Sequence, residues 1–191
     1  SVFQGLNLSE SEHVYWKDLR TTLKRTIAPT AEPVTVTSLK THARLSSSDE
    51  EDDLLAEYLI AAREMVEQDT ERALCTQTWT LKFDQFPCDL IEIRRCPLVS
   101  VSSIVYIDTN GQSQTWASSN YIVNTGSNPG RITLAYNCTW PIARCQENAI
   151  TVTFVAGFGG PADVPQIFKQ AIRLLAAESV ISREAVGSLT D

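Results

Sequence analysis

The chain has 191 residues and a mass of 21.1 kDa, a length that fits one domain, or one domain with an appended arm. Its 43% hydrophobic and 20% charged residues, with 8 Gly and 8 Pro, exclude collagen-like, low-complexity and wholly disordered chains. A formal net charge of −7 argues against a sequence-blind nucleic-acid binder, because such binding is driven by Lys and Arg neutralising phosphates. No apolar run approaches the roughly 18 residues of a membrane helix, and the opening SVFQGLNLSESEH has neither a basic nor an apolar signal region. The sequence therefore reads as soluble and unexported, with no membrane partner.

In chain order, Ser9 and Glu12 form a capping box ahead of Trp16, Leu19, Leu23 and Ile27, which predicts an amphipathic helix from Ser9 to about Ile27. Its other face carries Lys17, Arg20, Lys24 and Arg25. Pro29 and Pro33 then predict a linker, so residues 1–31 read as a helical arm and linker, and 32–186 as the main domain. A short helix is expected over 37–45. A second capping box, Ser48 with Glu51, opens a helix expected over 49–71, with Leu55, Leu59, Ala62 and Val66 on one side.

From about residue 76 the period changes from 3.6 to 2, and strands are expected through to 156. Trp79, Leu81 and Phe83 alternate with Thr and Lys; Ile150, Val152 and Phe154 alternate with Thr. Asp108-Thr109-Asn110-Gly111 predicts a tight hairpin with positive φ at both Asn110 and Gly111. Asn128-Pro129-Gly130 marks a second turn, and VAGFGG a bend from strand to helix rather than a phosphate loop, since it lacks both GxGxxG and GK[ST]. Asp163 is expected to cap a final helix over 163–182 whose stripe of Phe168, Ala171, Ile172 and Leu175 packs on the 49–71 helix. Residues 187–191 form a tail. The expected class is α+β, with amphipathic helices at both ends packing together and bracketing a central antiparallel β block.

The residues nominate no catalytic, cofactor-binding or metal site. Five cysteines, Cys75, Cys88, Cys96, Cys138 and Cys145, contain no CxxC pair, and His13 and His42 are the two histidines, so neither a zinc site nor a Cys-His nucleophile can be selected. The expectation is no enzyme and no cofactor. The sequons at Asn7 and Asn137 read as chance matches. Residues 46–71 hold ten acids against one base, Arg63, leaving the rest of the chain nearly neutral. Contiguous acids at a helix start, without a Gly turn, suit dipole capping or charge display along a pore better than calcium.

The ordered series EPVTVTSLKTHARL, DDLLAEYLIAAREMVEQDTERAL, TQTWTLKFDQFP, NPGRITLAY, ITVTFVAGFG and DVPQIFKQAIRLLAAESVISREAV resembles the head-tail connector, or adaptor, proteins of long-tailed double-stranded-DNA bacteriophages and gene transfer agents. The resemblance spans Glu32 to Val186. Two positions depart from it: Glu71 stands where the family usually has Gly, and AESVIS replaces an aromatic-rich stretch. It implies a structural, non-enzymatic head completion protein, made in the host cytoplasm and residing at the head-tail interface of the virion. Such a protein forms a ring of about twelve copies below the portal protein. The ring extends the channel through which DNA passes without specific binding, and receives a tail-side stopper or tail-completion protein. The 9–27 helix lies outside the Glu32 to Val186 span; its small apolar stripe of Trp16, Leu19 and Leu23 behind a Pro-containing linker predicts a docking arm, with Lys17, Arg20 and Lys24 facing Asp49 to Asp53 of a neighbouring copy or the portal. The alternative is a monomeric module that recognises a peptide or sugar through Trp116, Tyr121 and Trp140 of the β block.

Overall fold

A computed structural model describes residues 19–45 and 51–187, with side chains described as far as Ser182. The class is α+β. Thr21–Ile27 is a strand (β1), followed by helices α1 (Val36–Ala43) and α2 (Asp52–Asp69). The β block then runs through β2 (Gln77–Phe83), β3 (Ile91–Ile93), β4 (Leu98–Ile107), β5 (Ser113–Trp116), β6 (Tyr121–Asn124), β7 (Gly130–Leu134) and β8 (Ile150–Ala156). Helix α3 (Gln166–Gly187) closes the described chain.

Two antiparallel sheets form, one in the order β1-β2-β8-β4-β5 and one in the order β3-β7-β6. The alternation read in the sequence is the pleat: Trp79, Leu81 and Phe83 stand opposite Phe154, Val152 and Ile150 on one face. Those side chains meet Ile91, Ile93, Tyr121 and Ile132 of the smaller sheet, so both sheets share one apolar core. The helices keep a second core. There Leu55, Leu59, Ala62 and Val66 of α2 pack with Phe168, Ala171, Ile172 and Leu175 of α3, as the two stripes predict. Ala176, and then Ala177 and Val180 of the departing AESVIS stretch, extend that contact.

The helix expected from Ser9 to Ile27 is corrected over Thr21–Ile27, which pairs antiparallel with β2, Leu23 opposite Leu81 and Arg25 opposite Trp79. Residues 9–18 lie outside the described residues. Leu23 and Ile27 are four apart, a spacing that puts two side chains on one face of a strand as readily as of a helix. The β-branched Thr21, Thr22, Thr26 and Ile27 favour the strand. Just past the expected linker, Val34 is buried in the helical core and Glu32 pairs with Arg63, so the chain is fixed to the domain from Glu32 onward.

Three local expectations change. Glu51 occupies the N-cap of α2 without a side-chain capping bond, and Ser48 lies outside the described residues. Gly111 alone of the Asn110-Gly111 pair takes positive φ, at 82°; Gly111 N donates to Asp108 O at 2.9 Å and Asp108 N to Gln112 O at 2.8 Å. That is a three-residue loop with a glycine bulge, not a two-residue turn. Asp163 does not cap α3, which begins at Gln166; its carboxylate accepts from Gly160 N at 2.8 Å and closes the turn before Pro165.

The end of α2 explains the Glu71 departure. Glu71 sits at φ 53°, Glu71 N donates to Gln68 O at 3.3 Å and Arg72 N to Glu67 O at 3.1 Å. This is the Schellman pattern, whose left-handed position favours glycine.

Candidate functional site

The acids of α2 do not form one solvated face. Glu67 and Arg63, four residues apart on the flank of the buried stripe, are both buried. Arg63 donates through Nη1 to Glu67 Oε2 at 2.7 Å and through Nε to Glu32 Oε2 at 2.8 Å. The other oxygen of Glu67 accepts from Leu74 N at 2.8 Å and Gln77 Nε2 at 2.5 Å. Burial opposes the charge on Arg63, but Glu32 and then Glu67 outweigh it and raise its pKa. Arg95 donates to Glu67 O at 2.6 Å while its guanidinium lies 4.8 Å from the centre of the Trp79 ring. At the rim Arg25 of β1 pairs with Glu64 at 2.6 Å, a hydrogen bond that holds the Glu64 carboxylate below its usual range. The network joins β1, the 28–35 segment, α2 and β2 where the two cores meet.

Of the remaining acids, Asp52 pairs with Lys40, whereas Asp53 and Glu57 are exposed along α2. Asp49 and Glu50 lie outside the described residues. No group of three or more His, Cys, Asp or Glu suited to a metal occurs among the described residues. Cys75 is buried beneath the bend at Gly157, and burial, with Glu32 and Glu67 nearby, pushes its thiol up to about 11, the opposite of an activated nucleophile. Cys96 is also buried, while Cys88 and Cys145 are exposed. His42 faces Ser38, Thr41, Gln170 and Arg173 in a shallow surface hollow. The VAGFGG segment is a structural bend: Gly157 has φ 138°, and a Cβ there would stand 2.5 Å from Cys75 O.

Of the aromatic residues assigned to a peptide or sugar surface, Trp116 and Tyr121 are internal and Trp140 is half-buried against them. Trp116 stacks on Tyr121 with ring centres 5.3 Å apart, Trp140 stacks on Phe86 at 5.1 Å, and Trp116 and Tyr121 are buried. This corrects the picture of an exposed platform. Stacking explains it, since three large rings are stabilised more by one another than by water. The exposed aromatic of this region is Tyr136, at 93% relative exposure, on the loop after β7.

No family model matches the chain, and no curated protein does. Solved structures do. A chain in the neck of an empty gene transfer agent particle, computed with C6 symmetry, superposes with a TM-score of 0.71 over 82% of each chain at 23% identity. The chain has the fold of a particle-neck protein. A chain of the virion of the native gene transfer agent particle gives 0.69 at 23% identity, again over 82% of both chains. One from the neck of the native particle, computed with C12 symmetry, gives 0.64 at 25%, covering 82% of this chain and 81% of the other. The neck fold agrees with the resemblance carried by the ordered motifs. Within that fold the features sequence reasoning missed are the Arg63-Glu67 network and strand β1. An i, i+4 Arg-Glu pair beside the buried stripe was the available signal for the first.

Proposed function

We propose that this protein is a structural adaptor of a virion neck: copies assemble in a ring below a portal protein, extend the DNA channel and receive a tail-side stopper or completion protein. The observation that carries this reading is the match of most of the chain to neck chains from assemblies computed with C6 and C12 symmetry. The role is mechanical. The two separate cores suit it, because a helical layer and a β layer can each present a surface to a different neighbour while the buried network holds them in register. An acidic start to α2, repeated around a ring, would line a path along which DNA slides without adhering. No catalytic step is assigned.

Burial of Trp116 and Tyr121, stacked with the half-buried Trp140, speaks against the exposed aromatic surface that a monomeric binding module would need. The test is negative-stain imaging of the full chain mixed with its cognate portal. Added density coaxial with the portal supports the adaptor. Bare portals beside monomeric protein, under conditions where both are folded, overturn it.

A further inference from the structure

Strand β1 ends the five-stranded sheet, pairing with β2 on one side and with no described strand on the other. At seven residues it is the longest of the edge strands among the described residues, against four in β5, three in β3 and four in β6. Its outer side offers a row of backbone N–H and C=O groups that an extended backbone, and no helix, can match in register. Beside it lies a cavity of about 210 Å³, lined from β1 and from β3, the edge strand of the smaller sheet. Leu23, Leu81, Ile93 and Phe154 form its apolar wall, and Glu92 and Arg94 add one charge of each sign. The cavity has room for one large apolar side chain.

The two faces of β1 differ. Thr21 and Leu23 stand opposite Phe83 and Leu81 on the core side, whereas Thr22 and Lys24 stand opposite Lys82 and Thr80 on the outer side. Neither Lys24 nor Lys82 makes an ion pair among the described residues. Strands β1, β2 and β8 contain no Asp or Glu, in a chain whose net charge is −7. A strand added to β1 would meet cations with its outer side chains and the cavity with its inner ones, which selects acids alternating with apolar residues. The same lysines disfavour a basic strand, so the charge also sets selectivity.

We propose that the outer edge of β1 seats an extended segment of a partner protein in which acids alternate with apolar residues. Its backbone pairs with β1, one apolar side chain enters the cavity beside Leu23, and an acid lies opposite Lys24. The other edge strands of this chain do not supply such a segment: SQTW of β5 and YIVN of β6 hold no acid, and IEI of β3 is only three residues long. The seat is independent of the ring reading, which assigns no contact to β1.

The test selects from a displayed library of random nonapeptides on the full-length chain, then follows a selected peptide by fluorescence anisotropy and residue-resolved hydrogen exchange. Selected sequences should alternate Asp or Glu with apolar residues. Leu23→Asp, which puts a charge in the cavity wall, should weaken binding at least roughly tenfold. Lys24→Glu should weaken it at least roughly threefold, and as an exposed site it serves should Leu23→Asp fail to fold. Amides of β1 that exchange fast in the free chain should slow when the peptide binds. No enrichment, a consensus without the alternation, or binding that leaves both the β1 amides and the two variants unaffected refutes the seat and leaves the ring reading untouched. Amides of β1 that are all slow in the free chain would mean that the edge is already covered by the chain itself or by a second copy, which also refutes it.

Discussion

Glu67 is the residue whose loss should be felt most widely. Glu67→Ala removes the acceptor of Leu74 N and Gln77 Nε2 and the closest partner of Arg63, leaving a guanidinium that is 3% exposed with Glu32 and, at 3.6 Å, the half-exposed Glu64 to balance it. Removing one member of a buried pair costs about 3–5 kcal/mol. For a domain of this size that corresponds to roughly 6–20 °C in the melting temperature. Urea unfolding at pH 7, followed by circular dichroism, measures it directly. A double-mutant cycle adds the sharper test: Arg63→Met with Glu67→Met should cost at least about 1 kcal/mol less than the sum of the single changes, because the pair is lost together. A loss below about 1 kcal/mol for Glu67→Ala, or strict additivity in the cycle, would refute the claim that this network fastens the helices to the sheet.

Leu59→Ala, at the centre of the α2-α3 contact, should destabilise the fold by about 2–5 kcal/mol, and an unchanged urea midpoint would contradict the packing described. Glu71→Gly should stabilise by about 0.5–1 kcal/mol, since glycine relieves the left-handed backbone at φ 53° at some cost in chain entropy; a lowered melting temperature would contradict the Schellman assignment. Arg25→Met should cost no more than about 1 kcal/mol at pH 7, because Glu64 is half exposed. Its effect has a sign in pH: Glu64 is held below its usual pKa, so the pair's stabilisation is present above about pH 4.3 and fades as pH falls through the lowered value. Parent and variant stabilities should therefore converge in acid.

The buried stripes of α2 and α3 were legible because 3.6-residue spacing over four turns admits no other structure, and the alternation of Trp79, Leu81 and Phe83 was equally unambiguous. Strand β1 was not, because Leu23 and Ile27 satisfy both periods and its pairing partner lies more than fifty residues away. The same distance hid the network. Arg63 and Glu67 are neighbours in sequence, but their burial depends on Glu32, Leu74 and Gln77, which only the tertiary fold brings to them. Trp116, Tyr121 and Trp140 were misread for a related reason: aromatic residues in loops and short strands look exposed until the sheets that stack them are closed. Glu71 shows the converse, a departure visible in the sequence whose cost only a backbone angle reveals.

Copies of this chain are proposed to form a neck ring on a portal. Class averages of the full chain incubated with its cognate portal test it most directly. An added ring coaxial with the portal channel is expected, with about twelve repeats where the portal has twelve. Portal particles without added density, alongside folded monomers of 21.1 kDa in the same sample, would contradict it.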